Sequence, residues 1–152
     1  MECNTLKMSI LVSPSVANFS GVMHGGELLK TLDHVAYACA TKYCGYGVVT
    51  ISVDQVIFKS PIPIGSLLNF YASVNYVGKS SCEVGIRVEC EDLKSRAVKH
   101  CSSAYFTMVA LGANRQKVAM PPFVPQSDEQ KRRYAEAIDR REKRSMFYAT
   151  KQ

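Results

Sequence analysis

Long apolar runs are missing from this sequence. Its first hydrophobic stretch, Met8 to Val12, is too short for a secretory segment or a membrane span. The expectation is a cytoplasmic chain with no membrane association. Close cysteine pairs are missing too. The six cysteines (Cys3, Cys39, Cys44, Cys82, Cys90 and Cys101) form no CxxC motif, and the three histidines are not set at zinc-ligand spacing. Reduced thiols follow, several of them on predicted apolar faces as small hydrophobes, and no metal site is expected. Neither a GxSxG elbow nor an HExxH pair is present, so two common hydrolase signatures are excluded. Repeats and low-complexity tracts are also absent.

What remains is ordinary globular composition. The 152 residues are 47% apolar and 21% charged, enough for about one domain with its own core. The net charge of +6 is unevenly placed. Residues 1–114 hold nine Lys/Arg against eight Asp/Glu, whereas residues 115–152 hold ten against five. The basic character therefore belongs to the C-terminal part, where it would favour an anionic ligand, nucleic acid or solubility.

Ser9 to Val12 reads as a short strand, and Val16 to Met23, with Asn18, Ser20 and Gly21, as a loop. Gly25 and Gly26 precede a helical pattern from Glu27 to about Lys42, with apolar residues at Leu28, Leu29, Leu32, Val35, Ala36, Cys39 and Ala40. Gly45 and Gly47 end it. Val48 to Leu111 reads as sheet: a β-branched run to Phe58, alternation over 69–76 and 81–90, and a last strand from Ala97, with turns at Pro61–Gly65, Gly78–Ser80 and Glu91–Arg96. The fold class predicted is α+β: a curved antiparallel sheet wrapped around one long helix. An exposed edge strand in such a unit calls for covering, and edge-to-edge dimerisation supplies it. Residues 1–111 form the predicted domain and 112–127, with Pro121, Pro122 and Pro125, a linker. Residues 128–152 form a basic helical extension that Ser127 is placed to cap.

Asp33 lies inside the apolar stripe of the long helix. A carboxylate there either sits partly solvated at the stripe margin or serves as a general base or nucleophile in a shielded site. His24-Gly25-Gly26 sets two glycines before the helix, where free N–H groups and the helix dipole suit a developing negative charge. The same glycines also suit a tight loop-to-helix turn. Asn18 suits a turn or the orientation of a water or carbonyl. Gly78-Lys79-Ser80-Ser81 resembles the end of a P-loop but lacks the first glycine, Ser73 standing there, and it lies between strands. It reads as a hairpin turn whose Lys79 and hydroxyls could meet phosphate.

Taken together, Asn18 to Ala36 (NFSGVMHGGELLKTLDHVA), Val49 to Gly65 (VTISVDQVIFKSPIPIG) and Tyr76 to Ser81 (YVGKSS) resemble the acyl-CoA thioesterases of the hotdog fold, specifically the bacterial single-domain branch related to brain acyl-CoA hydrolase. The resemblance covers roughly residues 8–111. It implies hydrolysis of acyl-CoA to free acid and coenzyme A, with Asp33 as the catalytic carboxylate and Asn18 as the active-site amide. The Gly26 N–H would polarise the thioester carbonyl. It further implies substrate contacts at His24, Gly25, Phe58 and Lys59 and at the turn Gly78, Lys79, Ser80 and Ser81. Sites would lie at a dimer interface, with dimers assembling as a trimer of dimers and no cofactor beyond the substrate's own coenzyme A. The alternatives are a non-catalytic acyl-CoA sensor on the same fold, a hotdog dehydratase using His24 and Glu27, and a nucleic-acid protein resting on tail charge alone. The dehydratase's proline-rich histidine segment is absent, and the tail has no helix-turn-helix pattern.

Overall fold

The structure, a computed structural model, describes residues 3–149. Helix α1 spans Gly25–Cys44, and its recurring apolar residues put Leu28, Leu32, Val35, Ala36, Cys39 and Ala40 on one buried face. It starts two residues earlier than the pattern predicts, because His24 caps it and both glycines enter the first turn. Gly45 ends it in the left-handed region (φ 76°), which glycine adopts without strain.

Five antiparallel strands pack against α1: β1 (Thr5–Leu11), β2 (Gly47–Phe58), β3 (Leu67–Val77), β4 (Ser81–Glu91) and β5 (Val98–Leu111), in the order β1-β3-β4-β5-β2. One long helix against one curved antiparallel sheet is the hotdog arrangement. Alternation decides the inner face: Phe70, Ala72 and Val74 of β3 and Cys82, Val84, Ile86 and Val88 of β4 are buried. Strand β1 begins at Thr5, ahead of the predicted Ser9. Pairing of Thr5 to Leu11 with Ser73 to Leu67 sets its length, and its apolar content does not. Strands β1 and β2 are the sheet edges.

Residues 112–127 fold back on the sheet. The Val118 N–H donates to the Ala110 carbonyl, the Met120 N–H donates to that of Lys79, and Met120 is buried. The Tyr43 hydroxyl donates to the Pro121 carbonyl at 2.7 Å. Helix α2 (Asp128–Ala149) then opens on a reciprocal cap. Ser127 Oγ accepts from the Gln130 N–H at 3.1 Å, and Gln130 Oε1 accepts from the Ser127 N–H at 3.3 Å.

Helix α2 crosses the outer face of the sheet, opposite α1. Tyr134 meets Tyr76 of β3 (ring centroids 5.3 Å apart), Arg140 pairs with Glu83 of β4 at 2.6 Å, and Arg144 pairs with Asp54 of β2 at 2.6 Å. This cover buries Glu83, although alternation puts it on the polar face of β4. Among the described residues, no helix is long and apolar enough to cross a membrane.

Candidate active site

Asp33 sits on the third turn of α1, half-buried at the margin of the apolar stripe, on the side facing edge strand β2. The Thr50 hydroxyl of β2 donates to Asp33 Oδ1 at 2.6 Å. A bond this short to a carboxylate is charge-assisted and fixes the side chain. Asp33 Oδ2 has no partner among the described residues, so one oxygen is tethered and the other is open to a water. Thr50 is the residue that sequence reasoning missed. In a β-branched run it looks like strand propensity, and only the pairing of β2 with β5 aims its hydroxyl at α1. A register shift between Thr50 and Ser52 makes Ile51 the extra residue of a bulge at this point.

The loop before α1 is closed by Asn18. Its Oδ1 accepts from the N–H groups of Ser20 (2.9 Å) and Val22 (3.2 Å), the turn role open to a loop asparagine. Its amide NH2 has no partner among the described residues. His24 is the N-cap of α1, and its Nδ1 accepts from the Gly26 N–H at 3.2 Å. The imidazole therefore already occupies the donor that the resemblance assigns to a thioester carbonyl. At 3.2 Å the bond is at the long end of the range, so an incoming oxygen can displace it. Phe58 lies over the helix start: a Cβ on Gly25 would stand 3.9 Å from Phe58 Cζ.

The remaining candidates lie elsewhere. Lys59 Nζ is 3.3 Å from His100 Nδ1, beside a groove of about 830 Å³ on the outer face, so the structure does not bring it to Asp33. Burial, with the charges of Arg87 and Lys59, holds His100 below its usual pKa. Gly78 to Ser81 form the β3–β4 turn, closed by a 2.8 Å bond from the Gly78 N–H to the Ser81 carbonyl. The turn lies at the Thr50 end of the sheet, because Thr50 pairs with Met108 and Met108 with Cys82. Burial pushes Cys39 and Cys82 up to about 12, so both remain thiols at neutral pH and are poor nucleophiles.

These positions divide the candidate residues into two groups. Asp33 and Gly26 are about 10 Å apart along the axis of α1 at 1.5 Å per residue. A base and an oxyanion donor acting on one carbonyl must each lie about 3 Å from the reacting atoms. One chain therefore presents Asn18, His24, Gly25, Gly26 and Phe58 at one place, and Asp33 and Thr50 at another. Along the free edge between them, Ile51, Val53, Ile57 and Phe58 are exposed.

The family model of the thioesterase superfamily matches residues 20–97, which contain α1 and strands β2, β3 and β4. This chain belongs to that superfamily. Protein VdlD of Helicobacter pylori is 55% identical over 143 residues, spanning 94% of this chain and 82% of that one. An acyl-CoA hydrolase from Staphylococcus aureus, solved with butyryl coenzyme A, coenzyme A and coenzyme A disulfide, superposes with a TM-score of 0.89 at 31% identity, over 97% of this chain and 90% of that one. A hexameric acyl-CoA thioesterase superposes with a TM-score of 0.92 at 32% identity, over 95% and 93% of the two chains. Alanine variants of the Staphylococcus hydrolase have also been solved. They replace an asparagine, an aspartate and a threonine spaced along that chain as Asn18, Asp33 and Thr50 are along this one.

Proposed function

We propose that this protein is an acyl-CoA thioesterase that hydrolyses its substrate to free acid and coenzyme A at a site shared by two copies of the chain. The observation that carries this reading is the Asp33–Thr50 pair beside an unpaired, apolar sheet edge, with its complementary half-site displaced along α1. Two β2 edges meeting antiparallel about a two-fold axis set the Gly47 end of one strand beside the Phe58 end of the other. The Asn18–Gly26 half of one copy then arrives at Asp33 of its partner. Further assembly as a trimer of dimers agrees with the hexameric state of the similar thioesterase. The setting is cytoplasmic, and the reaction uses no cofactor beyond the substrate's coenzyme A.

Asp33 Oδ2 takes a proton from a water as the resulting hydroxide adds to the thioester carbonyl. The oxyanion accepts from the Gly26 N–H, which the His24 imidazole gives up, at the positive end of the α1 dipole. Asn18 orients the water or the thioester with its free amide NH2. Collapse of the tetrahedral species breaks the C–S bond, and the proton held by Asp33 goes to the departing sulfur. Because Thr50 ties Oδ1, the open Oδ2 suits a base more readily than it suits a nucleophile.

A complementation experiment tests the shared site. Asn18→Ala and Asp33→Ala are each expected to be nearly inactive in thiol release from acyl-CoA. Co-expressed, they form mixed dimers holding one intact site, and about a quarter of wild-type activity should return. Inactive mixed dimers beside an active wild type would place the whole site in one chain. A wild type that binds acyl-CoA without turnover would be the sensor. Thr50→Val keeps the shape but removes the hydroxyl, and it should lower kcat about tenfold with little change in KM. Thr50→Ser should restore most of the rate, and steady-state kinetics on the three proteins checks this.

A further inference from the structure

We infer that the last turn of α2 is an interaction surface for a second copy of this chain: Phe147 and Tyr148 reach past the free edge of β2 and pack on the outer face of the partner's sheet. The inference rests on the two-copy site proposed above, in which two β2 edges meet, and it adds a contact that α2 makes across that seam. The path of α2 carries it. The helix meets the strands in the order in which they lie side by side. Arg133 Nη1 donates to Ser73 Oγ of β3 at 3.4 Å, and Tyr134 meets Tyr76 of the same strand. Arg140 then pairs with Glu83 of β4 and lies over the Tyr105 ring of β5, and Arg144 pairs with Asp54 of β2. From β3 to β2 is three strand spacings, about 14 Å. From Tyr134 to Arg144 the helix rises about 15 Å at 1.5 Å per residue. The two lengths agree, so α2 runs straight across the strands and reaches the last of them at Arg144. It continues to Ala149, about 7 Å further, which exceeds the next strand spacing of about 4.8 Å.

The character of the helix changes at that overhang. Arg140, Arg144, Phe147 and Tyr148 follow the i, i+4, i+7, i+8 spacing of one helix face, and Ala137 and Arg140 on that face are buried against the sheet. Phe147 and Tyr148 continue the face but are 56% and 60% exposed, because β2 is the edge and this chain sets no further strand beneath them. With the neighbouring Met146, they are the exposed large apolar side chains of α2 among the described residues. A basic, ion-paired helix that turns aromatic where its own sheet stops matches a surface that another molecule supplies. A second copy supplies it by continuing the sheet. Its β2 takes the next strand position, directly under the overhanging turn, and the two-fold axis makes the same contact twice per dimer. Continuity with the β2 edge, where Ile51, Val53 and Ile57 are also exposed, selects a second copy over an unrelated partner.

The test is photocross-linking of the full chain carrying Phe147→benzoylphenylalanine, with isotope-labelled and unlabelled chains assembled together. Cross-links should join a labelled chain to an unlabelled one, and peptide mapping should place the attachment in β2 of the other copy. Cross-links confined to one chain, or landing on another copy away from the β2 seam, overturn the inference. The double variant Phe147→Ala with Tyr148→Ala should speed subunit exchange about a hundredfold, the scale of losing central aromatic contacts from an interface. Its circular dichroism should be unchanged, since alanine keeps the helix. Lys143→Ala, whose exposed lysine is paired with Asp139, should exchange as wild type does. Exchange of the double variant at the wild-type rate also overturns the inference. A monomeric wild type would sink this contact and the shared site together. Dimers that turn over no acyl-CoA would sink only the thioesterase chemistry, and the cross-links would still decide the contact.

Discussion

Asp33→Asn should lower kcat for acyl-CoA hydrolysis about a thousandfold, within the 10²–10⁴ range for removal of a positioned base, and leave the fold intact. The substitution preserves shape. Asparagine Oδ1 can still accept from the Thr50 hydroxyl, which now bonds Asp33 at 2.6 Å, so the α1–β2 contact survives. What changes is the open oxygen. Its replacement by an NH2 group leaves no atom able to take a proton from water or to attack the thioester. A large fall in kcat with an unchanged circular dichroism spectrum, melting temperature and oligomeric mass would assign the proton transfer to Asp33. Retention of a tenth or more of the activity would move the base elsewhere. The variant separates chemistry from stability because Asp33 lies at the rim of the core, with Leu32 and Val35 carrying the burial on either side.

The second large effect concerns stability. Glu83→Ala should destabilise the protein by about 3–5 kcal/mol, the cost of breaking a buried ion pair by removing one partner. The side chains of Arg140 and Glu83 are only 8% and 7% exposed. They meet through two bonds, Nη2 to Oε1 at 2.6 Å and Nε to Oε2 at 3.0 Å. Asn75 Nδ2 adds a third to Oε1 at 3.1 Å, and Tyr105 lies 3.6 Å beneath the guanidinium. Burial disfavours the charged guanidinium, yet Glu83 outweighs that and holds Arg140 above its ordinary pKa. Alanine at position 83 would leave this cation desolvated and unpaired.

Replacing both partners with apolar residues, Glu83→Leu with Arg140→Met, should cost much less, because no orphaned charge remains. Denaturant unfolding of the two single variants and the double variant closes the cycle. A cost below about 1 kcal/mol for Glu83→Ala would show that α2 is held by its other contacts. Those contacts include the Arg144–Asp54 pair one turn further along α2.

The local elements were largely legible from residue order. The apolar spacing of α1, the alternation of β4 and the Ser127 cap each depend on near neighbours, and each is present. Asp33 stood out because a carboxylate in an apolar stripe is costly unless something engages it. Burial of Glu83 was not legible. Alternation within β4 gives it a polar face, and α2, far along the chain, decides whether that face meets water. Nor was the partner of Asp33. Thr50 reaches it only through the order β1-β3-β4-β5-β2 and the bulge at Ile51. The Gly26 N–H carries a contact that spacing did not suggest, because a histidine two residues back is an uncommon cap.

By itself, then, the sequence determined which segments form helix and strand, which faces are apolar, and which residues are chemically out of place. Periodicity and side-chain solvation act over a few residues and are written directly in their order. Tertiary structure decided which of those residues meet. It left β2 as an open edge, set Thr50 against Asp33, and laid α2 across the outer face of the sheet. Those outcomes depend on strand order, register and helix docking, which are set by packing over the whole chain, and no local stretch of residues encodes them.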